Sequence, residues 1–248
     1  EVSFDGVKAL QGVSFSVKKG QLFSLVGPNG AGKTTLFNCV CRIVDPSSGR
    51  ISFKDQDISL LKPHQVPELG IARTFQNIEL FSGLTTVQNI MVGQHRHNHS
   101  SLFGSLFYTR SARKSEVAAR KAAEDLIDFL ELGPVRDKSV ENLAYGIRKK
   151  IELGRALATK PELLLLDEPV AGMNIEEREE LAFWLKEIRT VMGVTILLVE
   201  HDMRLVTELS DEICVLDSGR MIASGKPEKV QNDPAVIEAY LGKVENAS

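Results

Sequence analysis

The chain has 248 residues, 43% of them hydrophobic and 25% charged, with a formal net charge of −3. That length suffices for one large α/β domain with an inserted lobe, and the near-neutral charge gives no electrostatic reason to expect nucleic acid or an anionic membrane surface as the main partner. No apolar run approaches the ~20 residues that a spanning helix needs, so any work at a membrane must run through other chains.

The opening Glu1-Val2-Ser3-Phe4 shows neither an initiator Met nor a charged-then-apolar leader, and a cytosolic chain with a trimmed N-terminus is expected. Short β-rich segments then alternate with helical ones, the pattern of a parallel-sheet α/β domain. In chain order the expected strands are Val13–Val17, Leu22–Val26, Arg50–Phe53, Ile71–Phe75, Leu163–Leu166, Thr195–Val199, Ile213–Leu216 and Arg220–Ala223. A helix is expected over Thr34–Val44. It carries Cys39 and Cys41, which two-residue spacing places on different faces, making them a poor metal pair and better small hydrophobes. With Cys214 the chain has three cysteines, an odd and small number that suits free thiols in a reducing compartment.

From Asn77 to Lys160 the strand signals vanish. Ser115–Leu132 shows helical apolar spacing at Val117, Leu126, Ile127 and Leu130, so an inserted helical subdomain is expected at about 77–160, within a core made of 1–76 and 161–248. Inside it, His95-Arg96-His97-Asn98-His99 alternates histidines as an extended metal site could. No Cys or carboxylate accompanies them, and the composition is that of a solvated loop. Leu163–Leu166 and Thr195–Val199 are continuously apolar, as strands covered on both faces are. Asp217-Ser218-Gly219 is a hairpin signal between the last two strands, so the sheet is expected to be mixed. Asp233 and Pro234 open a short terminal helix as cap and first residue.

Gly27-Pro28-Asn29-Gly30-Ala31-Gly32-Lys33-Thr34 fits G-x-x-x-x-G-K-[ST], the Walker A phosphate loop, at every fixed position, between an expected strand and an expected helix. Its glycines let backbone N–H groups wrap a phosphate, and the helix N-terminus adds a favourable dipole. Lys33 should reach the β- and γ-phosphates of a nucleotide, and Thr34 should ligate Mg²⁺, with Thr35 completing the binding set. Leu163–Leu166 runs into Asp167-Glu168-Pro169, two carboxylates at the sheet edge where α/β folds bind ligands. Asp167 is placed to hold Mg²⁺, and Glu168 to orient or deprotonate an attacking water. Together these segments specify a P-loop NTPase without saying which kind.

Leu143-Ala144-Tyr145-Gly146-Ile147, with Arg148 to Leu157 behind it, resembles the signature loop and helix of the ABC (ATP-binding cassette) family. That family reads Leu-Ser-Gly-Gly-Gln there; this chain departs at Ala144, Tyr145 and Ile147. The resemblance implies that Gly146 approaches the γ-phosphate of an opposite subunit. Arg148, Lys149 and Lys150 fall in the first turn of that helix, where cations oppose the macrodipole; an anion ahead of the helix or a solvated basic face would accommodate them. It further implies that Gln76 senses Mg²⁺ and the γ-phosphate, that His201 hydrogen-bonds the γ-phosphate, and that Phe4 stacks on adenine. Ala171-Gly172-Met173-Asn174 stands at the D-loop position, with Asn174 where the broader family has Asp.

Asn142-Leu143-Ala144-Tyr145-Gly146 and Ala171-Gly172-Met173-Asn174, with Glu200-His201-Asp202-Met203 and the ending Ala239-Tyr240-Leu241-Gly242, resemble the ATP-binding subunits of branched-chain amino-acid importers, from which Ile147 still departs. Phe103-Gly104-Ser105-Leu106 is similar to the longer loop of one of the two paired ATPases there. The resemblance implies a second ABC ATPase subunit, identical or not, two transmembrane permeases, and indirectly a periplasmic or extracellular binding protein, with no nucleic acid. It places the chain peripherally at the cytoplasmic face of the membrane. A soluble cassette for iron–sulfur assembly, or a transport ATPase for another cargo such as lipopolysaccharide, is the alternative. A DNA-repair ATPase would carry long heptad coiled coils, which the sequence lacks.

Overall fold

The structure is a computed structural model that describes residues 1–74, 76–94 and 110–241. In chain order it builds β1 (Val2–Phe4), β2 (Val7–Leu10), β3 (Leu22–Val26), α1 (Lys33–Val40), β4 (Ser52–Phe53), β5 (Gln56–Asp57), β6 (Ile71–Arg73), α2 (Thr86–Val92), α3 (Arg110–Phe129), α4 (Tyr145–Ala158), β7 (Leu163–Asp167), α5 (Ile175–Met192), β8 (Thr195–Val199), α6 (Met203–Leu209), β9 (Glu212–Asp217), β10 (Arg220–Gly225), α7 (Pro227–Gln231) and α8 (Pro234–Leu241). Six of these strands form one sheet in the order β10-β9-β3-β8-β7-β6. The β9–β3, β3–β8 and β8–β7 pairs are parallel, while β10 returns antiparallel on β9. The expected mixed α/β sheet is therefore present, and β1–β2 and β4–β5 add two small antiparallel hairpins.

The chain divides into two compact units. The first holds Glu1–Ile71, Leu163–Glu168 and the chain from Leu185 onward; the second holds Ala72–Glu162 and Pro169–Trp184. In the first, every residue of β3 is buried, because layers cover both faces. Phe23 and Leu25 point into a cluster with Leu36, Phe37, Leu165, Leu197 and Leu216. Val26 points the other way, toward Val206, Ile213, Val215, Val230 and Val236. Alternation along one strand thus ties α1 to one face and α6 to α8 to the other.

In the second unit Thr85 and Gln88 cap α2 reciprocally. The fully buried Asn89 donates to the Phe81, Leu84 and Thr85 carbonyls. Helix α4 packs through Gly154, where an added Cβ would lie 3.0 Å from Leu130 and 3.2 Å from Ile90. Trp184 of α5 takes Phe129 and Phe183 edge-on, with ring centroids at 5.4 and 5.1 Å. No helix among the described residues is long and apolar enough to cross a membrane.

Several elements differ from expectation. Val13–Val17 forms no strand: its apolar alternation is used for packing, with Phe15 stacked on Phe23 at 5.0 Å, and not for a ladder. Helix α1 stops at Val40, since Arg42 turns to a left-handed φ of 60°. Pro169–Trp184, expected in the core, groups with the second unit. The β1–β2 hairpin was not foreseen, because Asp5-Gly6 joins strands of only three and four residues. Phe75, the His95–His99 stretch, Phe103–Leu106 and Gly242 lie outside the described residues.

Leu165 is fully buried between β8 and α1 side chains. Leu165→Ala should cost about 2–5 kcal/mol, read as a lower urea midpoint at unchanged slope.

Candidate nucleotide-binding site

Strand β3 ends at Gly27, and the Walker A segment follows. Gly27 has φ 149°, and a Cβ built on it would lie 2.1 Å from the Leu216 carbonyl oxygen of β9. Gly32 has φ 101°, and its Cβ would meet Ala9 O at 2.7 Å and Leu10 Cδ2 at 2.8 Å. Only glycine fits at both places, for space as well as for backbone conformation. The loop is pinned on its far side too: Gly219 N donates to Ala31 O at 3.1 Å, and Gln11 N to Gly219 O at 2.7 Å. The hairpin that carries Phe4 therefore runs beside the phosphate loop, with Phe4 itself 46% exposed.

Lys33 opens α1 and is buried. Its Nζ donates to Gly27 O at 2.7 Å and Pro28 O at 3.0 Å, so the ammonium spans the loop that it belongs to. Gly32 supplies no side chain to cap α1, and the first turn holds no acid, leaving the positive end of the helix for an anion. Thr34 is exposed and Thr35 half-buried at that end; Asn29 and Gly30 are exposed at the loop tip, and Pro28 is half-buried.

The parallel register sets the acidic side. Asp167 pairs with Val199, so β7 and β8 end level. Asp167 is 3% exposed. Glu168 follows in a left-handed backbone with φ 46°, held by its N–H on Val199 O at 2.9 Å; a non-glycine residue there stores strain of order 1–3 kcal/mol. His201 lies just beyond β8, with Nδ1 4.0 Å from Glu168 Oε1 and 3.8 Å from Glu200 Oε2. Its side chain is 58% exposed, whereas that of Glu200 is wholly buried and accepts the His201 backbone N–H at 3.1 Å. The expected pair Glu168 and His201 is thus brought together. Glu200 is a carboxylate that the sequence quoted only as part of a motif; its place at the end of an apolar strand was the available signal. Asp202 then caps α6 through Arg204 N and Leu205 N.

Gln76 and Gly146 belong to the second unit. Gln76 is exposed, and its carbonyl accepts from Lys149 Nζ at 3.0 Å. Helix α4 begins at Tyr145, so Gly146 sits within the first turn and not ahead of it. A Cβ at Gly146 would meet Glu177 Oε1 at 2.5 Å. Glu177 also forms a capping box with Asn174: its N–H donates to Asn174 Oδ1 at 2.9 Å, and its carboxylate accepts from Asn174 N at 3.0 Å. Asn174 thus serves α5 as a neutral cap. Burial pushes the Tyr145 hydroxyl pKa up. Two of the three cations of the basic turn are paired within the chain, and Arg148 is half-buried. Lys149 pairs with the buried Glu152 at 3.3 Å; Lys150 pairs with Glu180 at 2.6 Å and lies 5.1 Å from the Trp184 ring.

The match to known proteins is extensive. Residues 10–171 fit the family model described as ABC transporter, and residues 220–246 fit that described as branched-chain amino acid ATP-binding cassette transporter.

The chain belongs to the ABC transporter family.

It is 40% identical to the high-affinity branched-chain amino acid transport ATP-binding protein BraF of Pseudomonas aeruginosa and to LivG of Escherichia coli, covering 97% of this chain and 94% of each relative. A solved ATP-binding cassette of an ABC transporter in its ADP conformation matches with a TM-score of 0.83 at 34% identity, over 96% of this chain and 94% of the other. A nucleotide-free cassette matches at 0.82 and 33%, over 96% and 95%.

For this ABC-family chain, the two loop glycines separate space from conformation. Nothing lies within 4 Å of a Cβ at Gly30, so Gly30→Ala should cost about 1–2 kcal/mol of backbone strain alone. Gly27→Ala must also displace β9 backbone and should cost at least twice as much. Parallel urea unfolding curves measure the difference; equal midpoints would contradict the packing described.

Proposed function

We propose that this chain is the ATP-binding and ATP-hydrolysing subunit of an importer for branched-chain amino acids. In this reading it pairs with a second such subunit, identical or not, and with two transmembrane permeases at the cytoplasmic face of the membrane, cargo being delivered by a periplasmic or extracellular binding protein. The observation that carries the chemistry is one sheet edge holding both a glycine cradle with a buried lysine and, on β7 and β8, Asp167, Glu168 and His201. The cargo rests on the names of BraF and LivG.

The residues present fit ATP and Mg²⁺. An uncapped helix start, a loop into which backbone N–H groups can turn, and one buried ammonium suit a polyphosphate. Thr34 and Asp167 would hold Mg²⁺, which would offset phosphate charge when bound; Gln76 is added to them by the family resemblance alone. Lys33 supplies a cation to the phosphate oxygens by exchanging the Gly27 and Pro28 carbonyls for them. Phe4 offers an exposed ring to adenine. Glu168, fixed through its own N–H, orients and deprotonates the attacking water. His201, steadied between Glu168 and Glu200, donates toward the γ-phosphate. Gly146 serves the site of the partner subunit.

Glu168→Gln keeps shape and removes the base. It should bind ATP as the wild type does and turn over roughly 100- to 10,000-fold more slowly. Lys33→Ala should instead lose ATP affinity at equilibrium. Near wild-type hydrolysis by the first variant, or tight ATP binding by the second, would defeat the assignment.

A further inference from the structure

Gly146 lies in the first turn of α4 and has no left-handed φ, so backbone conformation does not explain a glycine there. Space does. The three atoms nearest to a Cβ built on Gly146 all belong to Glu177 of α5: Oε1 at 2.5 Å, Cδ at 2.9 Å and Cγ at 3.1 Å. Any side chain at position 146 would have to push that carboxylate aside.

The same carboxylate has a second task. Its Oε2 accepts from Asn174 N at 3.0 Å, while Glu177 N donates to Asn174 Oδ1 at 2.9 Å. One oxygen therefore packs on the signature turn as the other holds the Ala171–Asn174 loop. Tyr145 makes the same connection independently. Its ring edge reaches Gly172, with Cε1 3.6 Å from the Cβ position there, and Gly172 has a φ of 78°. Helix α4 has no side-chain cap at Ala144 and no acid in its own first turn, so its start is held from outside the helix. A turn later, Lys150 pairs with Glu180 of α5 at 2.6 Å and continues the join.

We propose that Glu177 is a positioning residue: it seats the signature turn on the Ala171–Asn174 loop, so that both are presented to the nucleotide of the partner subunit as one piece. Position 146 is then a glycine because Glu177 needs its place, and not only because backbone must approach a phosphate. This rests on the reading above that Gly146 serves the site of the partner subunit. Gly146→Ala displaces the carboxylate and Glu177→Ala removes it, so the two changes break one contact and their effects cannot add.

The test is a double-variant cycle in the full chain assembled with its partner subunits, reading ATP turnover, MgATP affinity and folded fraction at one temperature. Glu177→Ala should lose roughly 10- to 100-fold in turnover, as groups misplaced by up to about 1 Å do, with MgATP affinity and folded fraction unchanged. Gly146→Ala should lose a similar factor, and the double variant no more than the worse single one. Glu177→Gln, equal in length and still able to accept from Asn174 N, should keep most of the wild-type rate. Wild-type turnover in Glu177→Ala, or a loss there matched by its folded fraction, would overturn the proposal. So would losses that multiply in the double variant, or Glu177→Gln performing no better than Glu177→Ala. If Gly146→Ala does not fold, the contrast between the two Glu177 variants still decides the matter. A wild-type assembly that neither binds nor hydrolyses MgATP would instead overturn the nucleotide reading, and this proposal with it.

Discussion

The carbonyl oxygen of Leu216 occupies the place where any side chain on Gly27 would begin, 2.1 Å from a built Cβ. That contact fixes where β3 must stop and in which direction its backbone leaves. Everything at the site follows from the exit. The loop returns beneath Ala9 and Gly219, Lys33 is carried back over the carbonyls of Gly27 and Pro28, and α1 starts without a cap. A buried sheet ending in a bare helix N-terminus is a positive concavity with few conformational choices, which is what binding a flexible polyphosphate needs.

The acidic side depends on register. β7 and β8 run parallel to β3 and end level, so Asp167 and Glu168 leave one strand as Glu200 and His201 leave the next. The left-handed turn at Glu168 and the buried carboxylate of Glu200 are both unfavourable taken alone. Each is held by neighbours: Glu168 by Val199 O, and Glu200 by the His201 N–H. Strain and buried charge thus gather where the sheet meets its ligand, as expected of a site arranged ahead of the reaction.

Much of this was legible in the sequence because the controlling residues are local. Gly27–Thr34 and Leu163–Glu168 are contiguous, and strand, loop and carboxylates lie in single runs. Thr195–Val199 was found to the residue, since an all-apolar run flanked by polar residues has sharp ends. Val13–Val17 was not a strand, because alternation reports which side chains are buried and is silent on whether the backbone has a ladder partner. Lys150 was read as part of a basic turn, because Glu180, its ion-pair partner, lies 30 positions along the chain, whereas the Lys149 partner Glu152 stands within the same helix. The contact of Glu177 with Gly146 and the cap by Asn174 likewise needed the fold. Gln76 and Gly146 stand in the second unit, and their roles at a shared site remain a proposal built on resemblance.

The central claim is that the Gly27 cradle and Lys33 hold the phosphates that Asp167, Glu168 and His201 act upon. A structure of the Glu168→Gln chain bound to MgATP tests it most directly. The account predicts the triphosphate along Gly27–Thr34, Lys33 Nζ moved from the Gly27 and Pro28 carbonyls onto phosphate oxygens, the metal between Thr34 and Asp167, and His201 facing the γ-phosphate. A triphosphate bound elsewhere, with Lys33 still on those two carbonyls, would contradict it.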